Sequence, residues 1–150
     1  MKRSSIAIGL ALAGFSAMAH AQSTTCASLS DQQIHALFDT WNQTLATRDA
    51  GKMAGLYAPD AVLLPTLSNE LRNDRASIAD YFEHFLAKGP SGAIDERFVV
   101  SGCNKATDVG TYTFSFADGS QAKARYSYVY RYRDGQWLIS HHHSSVMPEG

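Results

Sequence analysis

Three consecutive histidines, His141, His142 and His143, are the residues best suited to chemistry near neutral pH. On a β-strand, His141 and His143 would point to one side, about 6.5–7 Å apart, and His142 to the other. Histidine titrates near neutral pH, so this pair could exchange protons with a ligand or hydrogen-bond it. Sharing a zinc ion would need a third protein ligand, and no His-x-x-Glu-His or Cys-x-x-Cys motif stands nearby. We therefore expect no metal and no cofactor; the histidines could equally be satisfied by strand neighbours and by Tyr or Ser hydroxyls.

Proton abstraction from carbon commonly uses a carboxylate base held inside a pocket. The acidic residues of this chain fall instead in predicted turns, ahead of a strand, after a helix or on helices: Asp108, Asp118, Asp134, Asp95, Glu96, Asp60, Asp39, Asp80 and Glu83. No strained Gly-x-Ser-x-Gly turn indicates a nucleophilic serine. We therefore assign no catalytic residue. An enzyme could still use a helix-borne acid, or His141 or His143 together with a pocket tyrosine, with His143 and Tyr128 as the alternative catalytic pair.

The composition of the 150 residues is typical of one globular domain. Charged residues make up 18% and aromatic residues 11%, which argues against a disordered chain. The net charge of −1 argues against nucleic acid or an anionic membrane as the partner.

The first 21 residues have the three parts of a secretory signal peptide. A basic start, Met1-Lys2-Arg3, precedes an apolar run over residues 6–15, and Ala19-His20-Ala21 supplies the small residues that a signal peptidase reads. The apolar run is too short to span a membrane. We predict cleavage after Ala21, a single mature domain over residues 22–150, a periplasmic or secreted location, and no membrane contact after cleavage.

Cys26 and Cys103 are the two cysteines of the chain, and both lie in the predicted mature domain. Disulfides form and persist in the oxidising compartments that an exported protein reaches. We therefore predict a Cys26–Cys103 disulfide that ties the N-terminal segment to the domain. Two separate buried thiols are the alternative.

Two longer helices are predicted from their capping residues. Ser30 and Gln33 form a capping box for an amphipathic helix over residues 31 to about 48. Asp74 caps a later helix, which Gly89-Pro90 ends.

A short helix and a short strand are expected between them. Asp49 caps a helix that runs through Tyr57 and is ended by Pro59. The apolar segment Ala61–Leu64 is then a buried strand that stops at Pro65.

The second half of the chain has the two-residue period of β-strands. Four strands are predicted: Arg97–Ser101, Gly110–Phe116, Ala122–Tyr132 and Gln136–Ser144. Three helices ahead of a bent antiparallel sheet indicate an α+β domain, because the apolar helix stripes must cover one face of the sheet.

The third long strand places four tyrosines on one face: Tyr126, Tyr128, Tyr130 and Tyr132. Such a stripe packs in a core, lines a pocket, or forms a contact between subunits.

Three segments carry a resemblance to a known superfamily: Leu56-Tyr57-Ala58-Pro59-Asp60-Ala61-Val62, Asp80-Tyr81-Phe82-Glu83-His84-Phe85-Leu86, and Arg133-Asp134-Gly135-Gln136-Trp137-Leu138-Ile139-Ser140-His141-His142-His143-Ser144-Ser145. The chain resembles the nuclear transport factor 2-like (SnoaL-like) cone fold, over nearly all of residues 31 to 148. Within that group it most resembles stand-alone bacterial versions of the calcium/calmodulin-dependent protein kinase II association domain. No kinase motifs occur.

The resemblance implies a cone-shaped barrel, with three helices packed on a strongly bent antiparallel sheet and a pocket between the long helix and the sheet. It also implies assembly with further copies of the chain, as a homodimer or a larger ring. The arginines that attract acidic ligands in the kinase hub align with Tyr112, Tyr128 and Ser144 here, and Arg72 and Arg97 are the candidates to replace them. The residues expected to line the pocket are Trp41, Tyr57, Arg72, Arg97, Tyr112, Tyr128, His141 and His143.

The sequence therefore predicts an exported, non-catalytic module that binds a small ligand, oligomerises, or does both. The expected ligand is partly aromatic or anionic. The alternative is a small SnoaL-like enzyme of the isomerase, cyclase or hydrolase type, working with pocket His and Tyr residues.

Overall fold

The computed structural model describes residues 25–148. The predicted signal peptide and its cleavage after Ala21 lie outside the described residues. Three helices and five strands follow one another in the order α1 (Asp31–Ala46), α2 (Ala50–Gly55), β1 (Tyr57–Leu64), α3 (Arg75–Leu86), β2 (Ser91–Gly102), β3 (Lys105–Ser115), β4 (Gln121–Arg133) and β5 (Gln136–Val146). In this part of the chain, no helix is both long and apolar enough to cross a membrane.

The helix starts follow from their capping residues. The Gln33 N–H donates to Ser30 Oγ, while the Ser30 N–H donates to Gln33 Oε1, which is the expected capping box. At α3, Asp74 Oδ1 accepts from the Ser77 N–H at 2.7 Å. Both caps satisfy N–H groups that would otherwise lack a partner within the first helical turn.

The second helix is shorter than its sequence indicates. α2 ends at Gly55, and Tyr57 already belongs to β1, so the prediction of a helix running through Tyr57 is wrong. Pro59 lies inside β1 instead of ending a helix. A proline is tolerated there because β1 is an edge strand and its register with β5 shifts between Tyr57 and Val62.

The five strands form one open, mixed sheet in the order β1-β5-β4-β3-β2. β1 joins β5 in parallel, whereas the other neighbours are antiparallel, so one edge departs from the expected antiparallel sheet. The α+β fold class is confirmed. β2 and β3 begin earlier than predicted, at Ser91 and Lys105, which places Asp108 inside a strand and not in a turn.

One face of the sheet is packed against the helices and the other is open to solvent. The inner face lies against the helices and carries buried aromatic residues, among them Tyr112, Tyr126, Tyr128 and Tyr130. The outer face carries Phe98 and Val100, whose exposed fractions are 70% and 68%. Three members of the tyrosine stripe are therefore core residues, while Tyr132 is 37% exposed.

The predicted disulfide is present. Cys26 and Cys103 are bonded, with their Cα atoms 5.0 Å apart. Beside them, the Asn104 N–H donates to the Ala27 carbonyl at 2.7 Å, and the Ala27 N–H donates to Asn104 Oδ1 at 2.9 Å. The N-terminal segment is thereby fixed to the turn between β2 and β3.

Candidate functional site

Arg97 reaches the inner face because of a bulge in β2. The β2–β3 register shifts between Ile94 and Glu96, after which Arg97 pairs with Gly110. A Cβ at Gly110 would collide with the backbone carbonyl of Glu96, so only glycine allows the two strands to approach here. The bulge thus directs the guanidinium inward, and its carbon lies 5.3 Å from the centre of the Phe38 ring.

Asp108 is a fully buried carboxylate on the inner face of β3. Its Oδ1 accepts from the Tyr126 hydroxyl at 2.9 Å and from Arg97 Nε at 3.2 Å, and Arg97 Nη2 lies 3.1 Å from Oδ2. Burial raises the pKa of Asp108, while the Tyr126 hydroxyl and the Arg97 guanidinium oppose that rise. The expectation that no strand interior holds a buried carboxylate is therefore wrong. The opposite charges of Arg97 and Asp108 balance each other, which is how a buried charge is usually accommodated.

A second set of polar contacts connects α1, β1 and β5. Trp41 Nε1–H donates to the Tyr57 hydroxyl at 3.1 Å, and that hydroxyl lies 2.8 Å from His142 Nδ1. Tyr57 can accept from Trp41 while donating to Nδ1, which leaves the His142 proton on Nε2. Burial lowers the pKa of His142 to about 3, with smaller contributions from His141 and His143, so the ring is neutral near pH 7.

Four of the residues predicted to line a pocket do lie together on the inner side. Trp41, Tyr57, Tyr112 and Tyr128 are all almost fully buried. Their rings pack against one another and against core phenylalanines; the Trp41 and Tyr128 centroids, for example, are 5.8 Å apart. These residues are part of the hydrophobic core, and of their side-chain polar atoms only Tyr128 Oη lacks a hydrogen-bond partner in the described part of the chain.

Ser144, the third position aligned with a hub arginine, is also buried on the inner side. It accepts a hydrogen bond from the Tyr112 hydroxyl and contacts the Thr66 hydroxyl. The Tyr112 hydroxyl on β3 is thus satisfied from β5, two strands away in the sheet.

The histidine run presents its middle residue inward. His142 pairs with Tyr128 across β4 and β5, and the two rings stack with centroids 4.0 Å apart. His141 and His143 pair with Val129 and Ser127 and lie on the outer face. The expectation that His141 and His143 line the same pocket as Tyr128 is therefore wrong, and His143 and Tyr128 cannot act together on one ligand. His143 instead lines a small surface groove of about 220 Å³ at the end of β1.

The two candidate arginines lie at opposite edges of the sheet. Arg72 pairs through its backbone with Leu63 on the β1 side. Its guanidinium is held by Asp80 at 2.6 Å and by Glu70 at 3.1 Å. Arg97 is on β2, at the other edge, so the structure brings only Arg97 together with the inner-face tyrosines.

Several buried polar atoms of the inner face have no hydrogen-bond partner among the described residues. They are Tyr128 Oη, Tyr130 Oη and His142 Nε2. Together with the ion pair between Arg97 Nη2 and Asp108 Oδ2, we call them the inner polar cluster. Buried polar atoms in native proteins are normally paired with protein groups, water or a ligand. The cluster offers hydrogen-bond donors and acceptors inside an aromatic shell, which suits recognition of a small polar molecule.

Within residues 25–148, no three or more His, Cys, Asp or Glu side chains converge as metal ligands would. Sequence reasoning did not identify Asp108, Tyr130 or His142 as site residues. The alternation of Ala106, Asp108 and Tyr112 is the one signal that could have placed Asp108 on the inner face.

A bent sheet covered by three helices, with polar atoms buried on its inner face, defines an α+β cone domain. Solved structures share this architecture. An NTF2-like protein from Pseudomonas putida is 19% identical, covers 79% of this chain and 87% of that chain, and has a TM-score of 0.69. A candidate dehydratase of the NTF2-like family from Streptomyces avermitilis is 12% identical and has a TM-score of 0.69; the alignment covers 79% of this chain and 96% of that chain.

The chain belongs to the calcium/calmodulin dependent protein kinase II association domain family, whose model matches residues 30–148. A protein from Xanthomonas campestris, described as a candidate association domain of this kind, is 51% identical. The alignment covers 81% of this chain and 91% of that chain, with a TM-score of 0.78. Among proteins with curated descriptions, none matches this chain. The resemblance inferred from the sequence is confirmed.

Proposed function

We propose that this domain is an exported, non-catalytic module that holds a small molecule against the inner polar cluster and self-associates through the outer face of its sheet. The observation that carries the ligand-binding part is the cluster itself. Three buried polar atoms without a partner among the described residues, Tyr128 Oη, Tyr130 Oη and His142 Nε2, cost free energy, about 1–3 kcal/mol each, unless something else satisfies them. A bound small molecule would supply those hydrogen bonds.

Export is supported by two features. The Cys26–Cys103 disulfide is typical of proteins that fold in an oxidising compartment. The pattern of residues 1–21 is that of a cleaved signal peptide. We therefore place the mature domain in the periplasm or outside the cell.

Self-association is supported by the uncovered outer face. Phe98 and Val100 are exposed there, and partly buried Val109 and Val129 continue the apolar surface across β3 and β4. Exposed apolar residues that continue in this way are a common mark of an interaction surface. The family is named for association, and a second copy of the same face is the partner proposed here.

Light scattering on the mature domain at tens of micromolar tests the self-association. We expect the mass of a dimer or larger assembly, and a monomer for Phe98→Asp, because a charge would be buried at the contact. Leu71→Asp is the matched control: Leu71 is 54% exposed, on the loop after β1, at the opposite edge of the sheet from Phe98. A wild-type monomer would remove this part of the proposal.

Mass spectrometry of protein purified from the periplasm and then denatured tests the ligand-binding part. We expect a co-purified small molecule in the wild type and less of it in Tyr128→Phe, which lacks one of the unpartnered hydroxyls. Tyr132→Phe, changed on the same strand but outside the cluster, should retain the molecule. Recovery of no small molecule from the wild type would count against the bound ligand.

A second candidate function is that of a small SnoaL-like enzyme, and the burial of Asp108 favours it. A carboxylate within a strand interior, with its pKa raised by burial, is suited to accept a proton from carbon.

Deuterium exchange into an enolisable ketone such as cyclohexanone tests this activity. It should be lost in Asp108→Asn and retained in Asp80→Asn, an exposed carboxylate that is also paired with an arginine. If deuterium exchange into the ketone is no faster than in buffer, catalysis of this reaction is excluded for the probe, and the non-catalytic binding module remains the proposed function.

A further inference from the structure

We propose that two copies of this domain pack their outer faces together about a two-fold axis that runs along β3. In this arrangement, the acidic residues of β2 in each copy lie over the basic residues of β4 in the other. The acidic residues are Asp95 and Glu96, and the basic residues are Lys123 and Arg125. The inference rests on the proposed self-association and states how the second copy is held.

A row of paired residues crosses the outer face at Thr111, with an acidic residue at one end and a basic residue at the other. Glu96 of β2 pairs with Thr111 of β3, and Thr111 pairs on its other side with Arg125 of β4. Tyr112 is buried on the inner face, so its neighbour Thr111 and the residues paired with Thr111 point outward.

The next row repeats this pattern. Lys123 of β4 pairs with Thr113 of β3, and the Thr113 hydroxyl donates to Asp95 Oδ2 at 2.8 Å. Each row therefore has an acidic residue on β2, a threonine on β3 and a basic residue on β4.

The four charged residues have no ionic partner within one copy. All four are exposed, and none of them forms a salt bridge with another residue of the described range 25–148. β3 lies between β2 and β4, which are therefore two strand spacings apart, about 10 Å. The outer face thus has an acidic side and a separate basic side, and a second copy can neutralise both.

An axis parallel to the strands and through β3 is the symmetry that pairs opposite charges. It places β2 of one copy over β4 of the other, and it keeps each row opposite the same row of the partner. An axis along β2 would place acidic residues over acidic residues, and an axis along β4 would place basic residues over basic residues. An axis across the strands would turn β4 end to end over the same strand of the second copy, with Arg125 near the partner's Arg131.

The same axis covers the exposed apolar residues of the outer face. Val109 lies on β3 and meets the partner's Val109. Val129 and Val100 belong to one row, so Val129 lies over the partner's Val100. Phe98, exposed in one copy, is covered by β4 of the second copy. Lys105 is the first residue of β3, and its exposed side chain can extend past the contact into solvent.

Charge reversal tests the pairing, with the dissociation constant of self-association measured by light scattering over a dilution series at low ionic strength. We expect Glu96→Arg and Arg125→Glu each to raise this constant at least about a hundredfold, because two contacts per dimer change from attraction to repulsion. Glu83→Arg and Lys88→Glu are the matched controls. Both residues are exposed, on α3 and just after it, and these changes should leave the constant unaltered.

Mixing the two reversal variants separates contacts between copies from contacts within one copy. In a mixed dimer of Glu96→Arg with Arg125→Glu, both contacts again join opposite charges, whereas each variant alone repels itself. We expect the equimolar mixture to associate with a dissociation constant within about tenfold of the wild type. Recovery of association in the mixture would also show that both variants are folded.

Other results overturn the inference. If the wild type associates and either reversal leaves its dissociation constant unchanged, the arrangement about β3 is wrong while the proposed self-association stands. The same follows if both folded variants associate weakly and their mixture does not recover. If circular dichroism shows a reversal variant to be unfolded, the neutral changes Glu96→Gln and Arg125→Gln replace it, and an unchanged constant in both overturns the inference. A monomeric wild type removes both the inference and the proposed self-association.

Discussion

His142 makes the stability of this domain depend on pH. Its pKa is lowered to about 3 by burial, against 6.5 in an unfolded chain, so the unfolded state binds the proton more readily. Stability from the neutral ring is fully present above pH 6.5 and is lost as the pH falls from 6.5 towards 3. We expect the free energy of unfolding to fall by up to about 1.4 kcal/mol per pH unit in this window.

Urea denaturation at pH 7, 6 and 5 measures that slope above the range in which most carboxylates titrate. His142→Gln should flatten the slope by about one proton even if it lowers stability overall. His143→Gln removes an exposed imidazole next to it and is the matched control for the loss of a histidine from this segment. Equal slopes in wild type and His142→Gln would show that His142 is not held neutral by the fold.

Tyr128 is expected to trade stability for recognition. Its hydroxyl is buried and has no partner in the described part of the chain, so Tyr128→Phe removes a desolvation cost without changing the ring. We expect the ligand-free domain to become more stable by about 1 kcal/mol, measured by thermal or urea unfolding. Tyr132→Phe, with an exposed ring, should change stability by less than about 0.5 kcal/mol. A clear loss of stability in Tyr128→Phe would mean that the hydroxyl is satisfied in the folded protein.

The sequence could predict which residues of β4 face inward, but not which histidine does. Tyr126, Tyr128 and Tyr130 alternate with polar residues, and their shared face follows from the period of the strand. The face of the histidines depends on the register of β5 against β4, which shifts between Val129 and Tyr130. A shift of one residue exchanges the two faces, and nothing local in the chain specifies it.

At the scale of elements, the bulge in β2 is expected to depend on Gly110. Gly110→Ala would place a methyl group against the Glu96 carbonyl, so the strands would have to separate. We expect a loss of about 2–4 kcal/mol in unfolding free energy, measured by urea denaturation. Gly55→Ala, where no neighbouring atom lies within 4 Å, is the matched control and should be neutral or stabilising. Equal stability of the two variants would show that the close approach at Gly110 is not required.

Local signals and long-range contacts account for different elements. α1 and α3 could be predicted because Ser30 and Asp74 cap them within three residues. An aspartate shortly before a glycine favours a turn, and at Asp108 this local signal outweighs the alternation of Ala106, Asp108 and Tyr112. The burial of Asp108 in β3 is stabilised by Arg97 from the neighbouring strand, and that contact depends on tertiary pairing.

At the scale of the whole molecule, the disulfide closes a loop with a sequence separation of 77 residues. In the chain-entropy view, this constrains the unfolded state and stabilises the fold by about 4 kcal/mol. We expect the double variant Cys26→Ser, Cys103→Ser to lose stability on that scale, measured by urea denaturation under non-reducing conditions. Adding a reductant to the double variant should change nothing further. Two free thiols in non-reduced, denatured wild type from the periplasm would contradict the bond.

The parallel pairing of β1 with β5 has a consequence for how the chain is made. β1 is the first of the described strands, and its partner β5 is the last, with β5 lying between β1 and β4. A nascent chain that has emerged only as far as β4 cannot complete its sheet, because residues 136–146 are still missing. Strands that lie so far apart in the sequence also pair slowly during folding. The domain therefore remains open during most of its synthesis. This suits the export proposed above, because a translocation channel threads a chain that has not yet folded.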